Sequence, residues 1–232
     1  MLAGLRLAFS WLTVLPVHAR HVDRDVARRA IALAPFVGLV LGGAAAGLLV
    51  LLDKGLLGGV LVVAFLALAT RGMHLDGLAD TADGLGSYRG PEQALAIMRD
   101  GPVGPFGVVA IVLVLGAQAA AIHDWTALVL AVVTGRVAFT ICCHKAVPAA
   151  RPEGLGALVA GTQPTALPAA WVVVLAAASI VTGWRGPVAV LLATGLVVLL
   201  VHHTRKRFGG VTGDVLGAAS ELATTVVLVT LS

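Results

Sequence analysis

A chain of 232 residues that is 59% hydrophobic and only 12% charged, with a mean hydropathy of +0.98, carries more apolar surface than a water-soluble globule can bury. Apolar runs of about 20 residues recur and the alternating strands of a membrane barrel do not, so the composition predicts an all-α, polytopic integral membrane helix bundle. The formal charge of +4 comes from basic residues in short segments between the runs, which argues for membrane topology and against nucleic-acid binding.

Residues 1–19 combine Arg6, a short apolar stretch, Phe9, Trp11 and Pro16. They resemble a signal peptide superficially, but the aromatic residues and the proline favour an interfacial or re-entrant helix. A basic loop over 20–29 precedes an apolar run from Ala30 to Leu52, and Asp53-Lys54-Gly55 reads as a tight turn. Leu56 to Thr70 is short for a span, so its helix is expected to continue into the acidic segment that follows. Pro91 to Arg99 reads as a short helix ended by the proline-containing stretch at 100–105. Further spans are predicted at Val103–Ile122, Trp125–Val147, Thr165–Thr182, Pro187–Val201 and Val211–Leu231. Together these give one integral membrane domain over 1–232 with six to seven apolar helices besides the N-terminal one. Cys142 and Cys143 are neighbours on a helix, point about 100° apart, and read as packing residues.

Charge sets the expected orientation. The loops at 20–29, 70–102, 145–164 and 202–210 hold twelve of the sixteen Lys and Arg residues, while the alternate loops hold only Lys54 and Arg185. The positive-inside rule places the twelve in the cytoplasm, in a cell inner membrane. Every segment with chemical potential then faces the cytoplasm.

The segment His74-Leu75-Asp76-Gly77-Leu78-Ala79-Asp80-Thr81-Ala82-Asp83-Gly84 holds three of the twelve acidic residues. On a helix Asp76, Asp80 and Asp83 fall within an arc of about 60°. Three carboxylates converging without a cation repel one another, and hard oxygen donors suit Mg²⁺. A solvated helix face would be the ordinary explanation in a soluble protein; beside a bilayer, in a chain this poor in charge, a metal face is favoured. His74 lies about 160° from Asp76 around a regular helix and is a poor co-ligand.

Arg205-Lys206-Arg207-Phe208-Gly209-Gly210-Val211-Thr212-Gly213-Asp214 joins a basic cluster to a glycine turn and a helix start. Such a segment offers cations and backbone amides to phosphate, although the cluster alone also satisfies the positive-inside rule. Thr212 reads as either a helix cap or a phosphate contact. Asp214 reads as a metal ligand or a proton acceptor. Arg136 and Glu221 both lie inside apolar spans, where a mutual ion pair competes with a place in a substrate cavity. Carboxylates facing cations at a membrane surface suit phosphoryl transfer to an alcohol. Asp76, Asp80 and Asp83 are then the metal candidates, with Asp83 and Asp214 as catalytic candidates. Arg99, Asp100, Arg151, Lys206, Arg207 and Thr212 are the substrate-binding candidates.

The acidic segment resembles the signature of the cobalamin synthase (adenosylcobinamide-GDP ribazoletransferase) family. Leu15-Pro16, Ile97-Met98-Arg99-Asp100, Arg151-Pro152-Glu153-Gly154-Leu155-Gly156 and Gly209-Gly210-Val211-Thr212-Gly213-Asp214 extend the resemblance along nearly the whole chain. It implies an integral membrane enzyme that uses Mg²⁺ to join α-ribazole, or its 5′-phosphate, to adenosylcobinamide-GDP with release of GMP. Asp76, Asp80 and Asp83 would hold metal, and Asp100 and Asp214 would line the site. Gly101-Pro102 departs from the Ser-Arg often found there, and Arg71 stands where glycine is frequent. The nearest enzymatic rival, a CDP-alcohol phosphotransferase, expects an arginine where Asp80 stands. A small-solute transporter would place acids mid-span and repeat its helices.

Overall fold

A computed structural model of the protein describes residues 1–19, 22–52 and 55–232. Arg20 and the turn at Asp53-Lys54 lie outside the described residues. Among those described the secondary structure is helical, with two isolated bridges, His144 to Gln163 and Ala149 to Val211. The helices are α1 (Leu2–Leu12), α2 (Arg24–Leu52), α3 (Leu56–Ala69), α4 (Met73–Gly86), α5 (Pro91–Asp100), α6 (Pro105–Ala121), α7 (Trp125–Cys142), α8 (Gly154–Val159), α9 (Ala166–Ala178, followed by a 3₁₀ turn at Ser179–Thr182), α10 (Arg185–Phe208) and α11 (Gly213–Leu231).

Among the described residues four helices, α2, α7, α10 and α11, are long and apolar enough to cross a bilayer unbroken. Two further candidates are bent pairs, α3 with α4 at 92° and α5 with α6 at 66°. The all-α membrane bundle is therefore as expected, with up to six spans and shorter apolar helices at α1 and α9. At 11 residues α1 rises about 16 Å, too little to span. It buries Leu7, Ala8 and Leu12 and packs along α2. The centre of the bundle is α7, 14 of whose 18 residues are buried, held between α2 and α11. Cys142 and Cys143 are free and buried there, as packing residues.

The Trp125–Val147 span ends at Cys142 and the Thr165–Thr182 run is a shorter helix than a span needs; three further boundaries differ from the sequence reading for a physical reason. The chain does not run straight from α3 into the acidic segment: Arg71 (φ 59°) and Gly72 (φ 66°) both adopt left-handed backbone and turn it. Arg71 holds the bend by donating to the carbonyls of Ser10 (2.9 Å) and Trp11 (3.0 Å). Those carbonyls lie at the end of α1, where a helix leaves acceptors unsatisfied. The cation is thus engaged with backbone. At the second boundary, α2 begins at Arg24, so Arg24, Arg28 and Arg29 belong to a helix rather than a loop. At the third, α10 runs on through Arg205, Lys206 and Arg207, which form its last turn, where cations offset the helix dipole.

The bend sets α4 at 92° to α3, so its aspartates stay near the level of the end of α3 instead of running on along its axis. Against α11 the two backbones meet directly: a Cβ on Gly77 would stand 2.6 Å from the Asp214 carbonyl oxygen. That approach brings the acidic face of α4 to the first turn of α11.

Candidate active site

Asp80 is the hub of the site. Partial burial pushes its carboxyl up to about 6, and the charges of Asp76, Asp214 and Asp83 push the same way, opposed by Arg151. Asp76 is exposed and Asp80 half-buried on the α4 face. Asp214 enters from the first turn of α11, where Thr212 caps the helix by accepting from the Val215 amide (3.3 Å) and donates its hydroxyl to the Asp214 carboxylate (3.1 Å). Arg151 stands across from them, 3.7 Å from the Asp214 carboxylate. The same guanidinium donates to the Leu95 carbonyl of α5 at 2.6 Å, which fixes its position. Asp76, Asp80, Asp214, Arg151 and Thr212 therefore come together from three separate parts of the sequence.

Asp83 is turned away to a different task. Its two carboxylate oxygens accept from the amides of Gly104 (2.7 Å) and Gly107 (2.9 Å), so it caps α6, whose own Gly104 has no side chain to do so. Among the described residues no three His, Cys, Asp or Glu side chains are grouped as a ready-made metal cage. The acidic face carries two carboxylates open to a ligand, Asp76 and Asp80, with Asp214 opposite, instead of a convergent trio.

The remaining predicted site residues are dispersed. Arg99 and Asp100 pair with each other at 3.1 Å on an exposed surface at the end of α5. Arg207 reaches the Arg89 carbonyl (3.3 Å) beside the α4–α5 connection, while Lys206 is exposed on the last turn of α10. Arg205 points elsewhere, lining a groove with His144 and His202 between α9 and α10.

Of the two readings for the charges inside the bundle, the direct ion pair is not formed among the described residues. Arg136 donates to the Ser220 hydroxyl (2.9 Å), and Glu221 accepts from the Gln118 amide (2.8 Å). A cavity of about 20 Å³ borders Arg136, Glu221 and Gln118, enough for one water. His74 is buried between Phe139 and Glu221, and neither of its ring nitrogens has a hydrogen-bond partner.

Fold and site together define a multi-pass membrane protein with acidic and basic groups gathered at one end of a helix bundle, an arrangement suited to an anionic substrate. The family model described as cobalamin-5-phosphate synthase matches residues 4–232, and the chain belongs to that family. A relative from a Nocardioides species, named adenosylcobinamide-GDP ribazoletransferase, is 47% identical over 94% of this chain and 93% of its own length. Relatives of the same name from Frankia casuarinae and a Roseiflexus species are 41% and 40% identical over 100% and 97% of this chain, and 95% and 87% of their own lengths. No solved structure matches the chain.

Proposed function

We propose that this chain is an adenosylcobinamide-GDP ribazoletransferase that transfers the cobinamide phosphate of its donor to a hydroxyl of α-ribazole or α-ribazole 5′-phosphate. The observation that carries the reading is the meeting of Asp76, Asp80, Asp214 and Arg151 in a chain similar over its whole length to relatives of that name. A ribose hydroxyl oxygen forms the new bond to the cobinamide-side phosphorus. The bond from that phosphorus to the bridging oxygen breaks, and the electron pair leaves with GMP. The hydroxyl proton passes to a carboxylate. A carboxylate left outside the metal's shell suits that step, since a bound cation would hold its ligands ionised and make them weaker bases. Asp83, held by two backbone amides, is better placed to keep the wall of the site in order.

Arg151 fits the diphosphate through charge-assisted hydrogen bonds, supported from the capped N-terminus of α11. The donor set also fits Mg²⁺: Asp76, Asp80 and Asp214 offer hard oxygens, and their mutual repulsion is what a cation relieves. Mg²⁺ is ordinarily held by one or two carboxylates plus phosphate and water, so a three-carboxylate cage is not required. When bound, it supplies positive charge against the developing charge on the leaving phosphate. The asymmetry of Lys and Arg among the loops supports a site facing the cytoplasm from an inner membrane.

The test uses purified protein in detergent with adenosylcobinamide-GDP and α-ribazole. GMP release that needs Mg²⁺ and stops with a chelator is expected. Well-folded protein that releases no GMP overturns the assignment, and equal release with and without the chelator removes the metal.

A further inference from the structure

A cavity of about 270 Å³ opens between α1, α2, α4, α7 and α11, with Gly213, the chain neighbour of Asp214, in its wall. The two helices that carry Asp80 and Asp214 also wall it: Met73 and His74 come from the first turn of α4, and Gly213, Leu216 and Gly217 from the start of α11. Leu155, a few residues beyond Arg151, closes the side nearest the site. The rest of the wall is apolar and partly aromatic, with Trp11 and Phe139 as its large rings. Arg71 at the rim is already tied to the α1 carbonyls.

His74 makes this more than an apolar gap. It lines the cavity, is only 3% exposed, and leaves both ring nitrogens without a hydrogen-bond partner. The carboxylate of Glu221 lies 3.9 Å from Nδ1, too far for a hydrogen bond. A buried polar group left unpaired is costly, and a partner supplied by a ligand removes that cost. Aromatic walls with one buried hydrogen-bonding group describe a slot for a flat, mostly apolar ring that carries a single polar edge atom.

We infer that this cavity binds the fused-ring base of the acceptor nucleoside, with His74 donating to the base's free ring nitrogen and Trp11 packing on its face. The inference rests on the proposed transfer, because it places the attached ribose toward Asp80 and Asp214. A base seated there orients the attacking hydroxyl at no cost to the cationic region that the diphosphate occupies.

Acceptor binding and donor binding are therefore separable. In detergent, Trp11→Ala is expected to raise KM for α-ribazole about tenfold while KM for adenosylcobinamide-GDP stays within about twofold. Trp11→Phe restores most of the loss. His74→Phe keeps the ring volume and removes its nitrogens. The wild-type preference for the benzimidazole nucleoside over its indole counterpart, expected at about tenfold, should fall to near one in that variant. Equilibrium dialysis of the nucleoside against the protein alone gives a readout without turnover. Turnover with unshifted acceptor KM in both folded variants overturns the inference and leaves the transfer standing. Nucleoside binding that Trp11→Ala weakens, without GMP release from any variant, keeps the slot and removes the transfer. Equal increases in both KM values overturn the inference too.

Discussion

Two polar regions of this bundle differ in how their charges are met. Inside, between α6, α7 and α11, Arg136 and Glu221 border one small cavity without a direct ion pair and hydrogen-bond to neutral partners, Ser220 and Gln118. At the end of the bundle, Asp76, Asp80 and Asp214 crowd together with Arg151 as their cation, and partial burial, with repulsion adding to it, raises the Asp80 carboxyl. The first region keeps its charges inside the bundle, where Ser220 and Gln118 each meet one of them and the Arg136 Nε is left without a hydrogen-bond partner. The second keeps an electrostatic debt that only a bound cation or proton settles. A charge within a membrane protein is therefore no guide to function by itself; whether its partners belong to the same chain is the better guide.

Substitutions in the two regions should separate accordingly. After Asp80 itself, the largest effect is expected for Asp214→Asn, which keeps shape and removes charge opposite Asp80. Turnover should fall by about 10²–10⁴-fold with little change in melting temperature, read by GMP release and a thermal scan. If the activity survives, Asp214 belongs with the structural charges. Asp83→Ala should act on the fold instead. It strips the acceptors from the Gly104 and Gly107 amides, and should cost about 2 kcal/mol of stability, seen as a lower unfolding midpoint. Residual activity should then follow the folded fraction.

The next effect is a pH dependence that reverses with metal. In the metal-free fold Asp80 holds its proton up to about 6, whereas an ordinary aspartate has lost it near 3.8. The native state binds more protons in that window, so metal-free stability should fall as pH rises through it. Cation binding needs the ionised form, so Mg²⁺ affinity should weaken as pH drops below about 6. Thermal melts from pH 4 to 7, with chelator and with Mg²⁺, should slope in opposite directions; parallel slopes would contradict the assignment. The smallest effect belongs to the inner region. Glu221→Gln preserves the contact with Gln118 after an amide flip, and should leave KM and kcat within about twofold.

Much of the fold could be read from hydrophobic runs, because a bilayer demands long apolar helices with satisfied backbones. The Thr212 cap and the packed cysteines were readable too, each following from local chemistry. The 92° bend was not, since a left-handed Arg71 has no sequence signature and is held by distant carbonyls of α1. The three aspartates shared a face by spacing, yet spacing could not show that Asp83 is committed to α6. One signal was available: Gly104-Pro105-Phe106-Gly107 starts a helix with no capping side chain, so an acceptor had to come from elsewhere. The proximity of Asp214 and Arg151 to Asp80, and the slot beside Trp11, depend on helix packing that periodicity does not contain.

The most direct test compares wild type with Asp80→Asn, purified together in detergent and shown to be equally folded by gel filtration and melting. With adenosylcobinamide-GDP, α-ribazole and Mg²⁺, wild type should release GMP in step with the joined corrinoid product, and the variant should release none above background. A folded Asp80→Asn protein working at a near wild-type rate would contradict the account.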